Sequence, residues 1–466
     1  MTANRPNILF IMSDDHAAHA ISAYGSVVNE TPNIDRLAIE GARFDNVFCG
    51  NAICAPSRAT ILTGTHSHVN GVRTLADRFD GSQVTFPMLL QAAGYQTAIF
   101  GKWHLGHGAE ADPTGFDAWS ILPGQGAYHD PRFYVQGEER QFEGYATDLI
   151  TDFSIDWLER RDPDRPFMLM THHKAPHRPW EPDEKHATMY DEVEMPYPDT
   201  FDDDYATRPA AEAARMRIGR DMTYTDLKAE PPPGLSEDEH KRWAYQRYIK
   251  DYLRCIASVD DNVGRLLDWL DANGLTEDTI VIYTSDQGFF LGDHGWYDKR
   301  FMYEESLRMP FLMRYPREIA AGTVVHAMVG NIDFAPTFLD YAGVDAPRPM
   351  QGVSYRPVTT GNVPDGWQES VYYRYWMHLG DHGVAAHYGV RTKRHKLIRY
   401  YGRALGTAGS IDRDTEPYWE LFDLEMDPHE LRNAYGLPGV ADAQAALHAE
   451  LDRLMRQYRD TPVTSP

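Results

Sequence analysis

The chain is poor in cysteine: Cys49, Cys54 and Cys255 are the only three in 466 residues. So few, and an odd number, cannot staple a chain of this length, which excludes a disulfide framework and fits reducing conditions. There is also no apolar run near the ~20 residues needed to cross a bilayer. The opening Asn7-Ile8-Leu9-Phe10-Ile11-Met12 is too short for the core of a signal peptide and runs straight into acids. The sequence therefore reads as cytoplasmic and without a membrane partner, although a chain trimmed of its leader would look the same. Basic residues are in deficit too, 45 Lys and Arg against 69 Asp and Glu, a formal net charge of -24. That balance opposes general affinity for nucleic acid, so an anionic substrate requires a locally basic pocket. Neither an internal repeat nor a low-complexity tract is found; the nearest approach is an acidic, proline-rich stretch over 195–239.

What is present is an ordinary soluble composition, 42% apolar and 24% charged. Single cores stop growing at ~250–300 residues, so a large domain over 1–352 and a smaller one over 353–466 are expected, with 195–239 as an insertion that is a candidate lid or subunit contact. The runs Asn7–Ser13 and Thr279–Ser285 are continuously apolar, as parallel strands buried on both faces are. Further strands are expected at 96–100, 166–171 and 310–315. A helix precedes the second run, with Tyr252, Leu253, Ile256, Val259, Val263, Leu266, Leu267 and Leu270 on one side and Gly274 at its end. After about Gly352 the pattern changes to short strands at 371–376 and 389–401, a strand-turn segment at 419–428 and a closing helix over 441–458. The fold class is α/β: a large, mostly parallel central sheet flanked by helices, with a smaller C-terminal α+β domain containing a short antiparallel sheet.

The two central strands end in Asp14-Asp15 and Asp286-Gln287. Ligands collect at the carboxyl ends of parallel strands, so the two pairs point to one shared site. Three carboxylates and an amide oxygen are hard donors, suited to calcium or magnesium rather than zinc. Any one of these acids alone would also fit a turn or helix cap. Cys54-Ala55-Pro56-Ser57-Arg58 has the residues of a helix start, where free amide groups favour an anion. An arbitrary cysteine, however, is more often a buried structural thiol.

Cys54-Ala55-Pro56-Ser57-Arg58 followed by Ala59-Thr60-Ile61-Leu62-Thr63-Gly64 resembles the signature of the type I, formylglycine-dependent sulfatases of the alkaline phosphatase superfamily. The resemblance extends to Arg5-Pro6-Asn7 with Asp14-Asp15, to Gly101-Lys102-Trp103-His104-Leu105-Gly106, to Ala175-Pro176-His177-Arg178-Pro179, to Ser285-Asp286-Gln287-Gly288 leading to Lys299, and to the closing Trp419-Glu420-Leu421-Phe422-Asp423. It implies that a formylglycine-generating maturation enzyme, a required partner, oxidises Cys54 to an aldehyde whose hydrate attacks sulfur. It also implies one calcium ion, ahead of magnesium, on Asp14, Asp15, Asp286, Gln287 and the matured Cys54. Many familiar sulfatases carry Asn or His where Gln287 stands, and the longer arm alters the coordination geometry. By the same resemblance Arg58 stabilises the nucleophile, Lys102 and Lys299 hold the sulfate, His104 is the base that releases it and His177 the acid that protonates the departing alcohol.

The likeness is greatest to carbohydrate sulfatases, and the expected substrate partner is a sulfated hexose or hexosamine, 6-O-sulfated by preference. Lys174, Arg178 and His294 are the candidate substrate contacts, beside Trp103, Trp180 and Trp296, with Arg391 and His378 as candidates from the C-terminal domain. A formylglycine-dependent phosphonate or phosphodiester hydrolase is the alternative within the superfamily. A non-catalytic binding relative is the alternative outside catalysis, and it is disfavoured because no charged motif position is missing. Oligomeric state has no signature in the sequence.

Overall fold

Residues 8–12 can all be apolar because both faces of that strand are covered. In the computed structural model, which describes residues 5–108 and 110–463, the run lies at the centre of a ten-stranded sheet. The outermost residues of the two expected domains lie outside the described residues. The central strands are β1 (Asn7–Ser13), β2 (Gln96–Lys102), β3 (Phe167–His172) and β4 (Thr279–Ser285). They run parallel in the spatial order β4-β1-β3-β2. β5 (Phe311–Arg314) joins β4 antiparallel, and a parallel strand at Ala118–Leu122 leads to an antiparallel edge at Arg132–Val135 and Glu138–Gln141.

Alternate residues of β1 point to opposite faces. Ile8, Phe10 and Met12 pack with Phe334 and Phe338, while Leu9 and Ile11 enter a second core with Ile256, Val259 and Val263. Two helices matter most here, α1 (Cys54–Thr63) and α2 (Glu237–Ala272). α2 is longer than its apolar face suggests: Ser236 and Glu239 form a reciprocal cap at its start, so the expected insertion ends inside the helix. The rest of that insertion is mostly irregular and contains two short helices, Pro209–Ala213 and Tyr224–Leu227.

Four antiparallel strands, β6 (Ser370–Tyr375), β7 (His387–Thr392), β8 (His395–Tyr400) and β9 (Tyr418–Asp423), form the C-terminal sheet. The single strand expected over 389–401 is a hairpin. The turn contains neither Gly nor Pro; it is closed by Thr392, whose Oγ1 donates to the His395 carbonyl and accepts from its amide, both at 3.0 Å. α3 (Ala441–Tyr458) covers this sheet through Leu447, Leu451 and Leu454 against Val390, Leu397 and Leu421.

Candidate active site

β1 and β4 pair in parallel with Ser13 opposite Ser285, so the residues that follow each strand emerge at one level. Asp14, Asp15 and Asp286 each bring one oxygen within 4.8 Å of the others. Asp15 has φ 67, in the left-handed region that costs a non-glycine residue strain and is found at functional sites. Its amide donates to Asp286 Oδ1 at 3.2 Å. Gln287 Nε2 donates to Asp15 Oδ1. That bond leaves Gln287 Oε1 buried with no hydrogen-bond partner, and Asp14 Oδ1 is in the same condition. Two orphaned hard oxygens beside two further carboxylates fit a divalent cation of the calcium or magnesium kind.

The buried cations around these acids set their protonation. Burial raises the Asp286 carboxyl, but Arg58, Lys102 and Lys299 outweigh it and hold the group below its ordinary value. Burial wins at Asp15, which is pushed up to about 6 against the pull of Lys299. Lys299 Nζ donates to both Asp15 oxygens at 2.6 Å, and Lys102 Nζ donates to Asp14 Oδ2 and, at 2.5 Å, to Gln125 Oε1.

α1 is buried along its whole length, which brings its first residue, Cys54, beside the acids. Ser57 Oγ donates to the Asp286 carbonyl. Arg58 donates from Nε to Asp286 Oδ2 at 3.0 Å and from Nη1 to the Lys102 carbonyl at 2.7 Å, so it ties three motifs together. Gly101 lets the end of β2 lie close against β3: its φ is +105, and a Cβ there would lie 1.9 Å from the His172 carbonyl oxygen. Burial pushes the Cys54 thiol up to about 12, against Lys299. As a bare thiol it is protonated at neutral pH and a poor nucleophile.

One ligand atom each from Asp14, Cys54 and His177 lies within 4.8 Å of the others. His177 Nδ1 is 2.7 Å from the Arg178 carbonyl, which only accepts, so Nδ1 carries the proton and Nε2 faces the acids, 3.8 Å from Asp15 Oδ2. Burial, then Lys102, Lys299 and Lys174, hold His177 neutral. His104 has φ 57 and is held neutral by burial and by Lys102 and Arg58. Lys174 is buried, with Nζ 4.5 Å above the Tyr128 ring, and burial lowers it to about 8.

A cleft of about 740 Å³ opens above this floor, and Cys54, His177 and Lys299 reach it. Arg178 is in its wall, bound by both oxygens of Asp226 from the insertion at 2.6 Å. Asp298, Arg300, Arg215 and His382 also line the cleft; none of the four, nor Asp226, was singled out as a site residue from the sequence. Thr223 and Asp226 form a reciprocal helix cap, a local signal for Asp226. Gln125 was legible only as the middle of a Gly-flanked turn.

His294 does not join them. It is wholly buried, its Nδ1 2.7 Å from Asp203 Oδ2, and it ties the insertion to the core. The three tryptophans are packing residues: Trp180 and Trp296 are fully buried, and Trp296 stacks between Tyr205 and Phe301. Trp103 donates to the Ala111 carbonyl at 2.8 Å. Arg391 pairs with Glu304 at 3.0 Å and His378 is buried against the Arg413 carbonyl, and neither lines the cleft.

The chain matches the sulfatase family over residues 6–344, and the C-terminal region of N-sulphoglucosamine sulphohydrolase over 292–457. It is 43% identical to an N-acetylglucosamine-6-O-sulfatase of Bacteroides thetaiotaomicron, covering 98% of this chain and 87% of that one. An arylsulfatase of Clostridium perfringens is 28% identical, over 92% and 90% of the two chains. A solved structure described as a complex with its substrate D-glucosamine-2-N,6-O-disulfate superimposes with a TM-score of 0.90, at 43% identity and 98% coverage of both chains.

Proposed function

Because the chain belongs to the sulfatase family and is a sulfuric ester hydrolase, we propose that it removes sulfate from a carbohydrate, a 6-O-sulfated glucosamine derivative, through a nucleophile made from Cys54. Cys54, His177 and Lys299 lining one cleft carry this reading, and the 43% identical 6-O-sulfatase supports the choice of sugar. The burial that suppresses the thiol favours a matured side chain: as formylglycine, the position would supply an oxygen nucleophile, the hydrated aldehyde, in place of the thiol. Asp14, Asp15, Asp286 and Gln287 would hold a divalent cation, calcium by preference, which supplies charge that stabilises an oxyanion beside it.

The chain's own residues do the rest. Lys102 and Lys299 bind sulfate oxygens and oppose the charge that grows on the leaving oxygen. Arg58 holds Asp286, the Lys102 backbone and the start of α1 in one frame. A bound sulfate ester adds negative charge among the three lysines that keep His177 neutral, so substrate binding raises the proton affinity of Nε2 and readies it to protonate the alcohol. His104, buried and neutral, would accept the proton of the nucleophile's remaining hydroxyl as the carbon–oxygen bond to sulfate breaks. Arg178, and Lys174 beneath it, bear on the sugar side of the ester.

Protein coexpressed with a formylglycine-generating enzyme is to be assayed for sulfate release from N-acetylglucosamine-6-O-sulfate and for hydrolysis of a phenylphosphonate monoester. The expected result is turnover of the sugar sulfate at a kcat/KM at least about 100-fold above that of the phosphonate. The reverse order would transfer the proposal to the phosphonate hydrolases.

A further inference from the structure

Three arginines stand in the cleft wall, Arg178, Arg215 and Arg300. Two are neutralised by the protein itself. Arg178 has Asp226, and Arg300 has Asp298 at 3.2 Å with Asp381 at 3.7 Å. Arg215 has no side-chain hydrogen bond and no carboxylate within ion-pair distance among the described residues. Acids outnumber bases by 69 to 45 in this chain, so a cation left unpaired at the cleft is not explained by a shortage of carboxylates.

Nor is its position loose at the backbone. The Arg215 amide donates to the His382 carbonyl at 2.7 Å, and His382 Nδ1 donates to the Arg215 carbonyl at 2.9 Å. The guanidinium lies over Gly383, where a Cβ would stand 3.3 Å from its Nε. Gly383 has φ +65, so both the turn and the space above it favour glycine. His382 is held in turn by Asp298 at 3.2 Å, so the segment bearing Arg215 is pinned to the wall that contains Lys299.

Resting on the sulfatase reading above, we propose that Arg215 is a specificity residue that binds a second oxyanion of the substrate, in addition to the sulfate that is cleaved. A guanidinium fork matches sulfate and carboxylate geometry. Two sources of that oxyanion share the chemistry: an N-sulfate on the same glucosamine, or the carboxylate of a neighbouring uronic acid. The structurally similar protein whose substrate carries two sulfates is consistent with the first.

The test uses the matured full-length protein and three substrates: N-acetylglucosamine-6-O-sulfate, glucosamine-2-N,6-O-disulfate, and a disaccharide in which a uronic acid adjoins the 6-O-sulfated N-acetylglucosamine. The wild type is expected to favour one doubly anionic substrate over the first by about tenfold in kcat/KM, chiefly through KM, with the preference falling as salt rises. Whichever substrate is favoured identifies the source. Arg215→Gln should bring that ratio to about one, and Arg215→Lys should restore part of it. A loss of folding alone would lower all three rates together and leave the ratio intact. A wild-type ratio near one for both doubly anionic substrates, or a ratio that survives Arg215→Gln, overturns the assignment while leaving the sulfatase reading in place. Absence of turnover on all three sugars overturns both.

Discussion

The floor of the cleft and its rim are built on opposite plans. The floor is made of short motifs at strand ends and at the start of a buried helix, and its charges are locked to one another: Arg58 to Asp286, Lys299 to Asp15, Lys102 to Asp14. The rim is assembled from distant segments, Arg178 after β3, Arg215 and Asp226 of the insertion, Arg300 after the second motif pair, and His382 between β6 and β7. The floor suits a fixed chemistry, because donors that do not reorganise stabilise developing charge at little cost. The rim suits selection among substrates, because side chains such as Arg178 and Arg300 pair with Asp226 and Asp298 rather than with the acids of the floor.

The strongest way to break the comparison is at Cys54. Cys54→Ala should lower sulfate release by at least about 1,000-fold, while thermal unfolding followed by circular dichroism shifts little, since one small side chain is lost. Substantial remaining turnover would remove Cys54 from the nucleophile role. Next comes the acid. His177→Ala should cost about 100- to 1,000-fold on a sugar sulfate but about tenfold or less on an activated aryl sulfate, whose leaving group needs no proton. Equal losses on the two would show that His177 does something else.

Chelation probes the acids of the floor. A strong chelator should depress activity and also lower the unfolding temperature, because a cation bound only by the native state stabilises that state. An unchanged rate and melting curve would discard Asp14, Asp15, Asp286 and Gln287 as a cation site. At the rim, Asp226→Asn should raise KM by about tenfold or less with kcat nearly constant, since it loosens Arg178 rather than the reacting groups. A fall in kcat alone would place Asp226 with the floor.

The last prediction concerns stability rather than turnover and lies away from the cleft. Glu420 is fully buried among the hydroxyls of Tyr418, Tyr303 and Tyr400, and burial lifts its carboxyl from 4.5 to about 7. A raised native pKa means that the folded state binds the proton more tightly, so this contribution is present below about pH 4.5 and is lost as pH rises through about 7. The loss is ~3 kcal/mol at most. Glu420→Gln should therefore flatten the stability profile across that window; parallel profiles for variant and wild type would show that Glu420 does not titrate there.

The same contrast decides what could be read from the sequence. The floor was legible because each motif is contiguous and its strand is apolar throughout: Ser13 and Ser285 are 272 residues apart, yet both runs announce a buried parallel strand whose carboxyl end carries acids. His294 was misplaced because the residue that claims it, Asp203, is 91 positions away in a segment without periodicity. The rim residues are ordinary arginines, acids and a histidine until the fold brings them to one wall. The β7–β8 turn was missed because threonine hydroxyl bonds replace the usual glycine, and the edge strands at 132–141 because exposure, complete at Glu138–Gln141, leaves no apolar run to read.

The most direct test of the central claim is the mass of the tryptic peptide 44–58, from protein coexpressed with a formylglycine-generating enzyme and active on N-acetylglucosamine-6-O-sulfate. An aldehyde in place of the Cys54 thiol is the predicted result. An unmodified thiol in protein that turns over the sugar sulfate would contradict it.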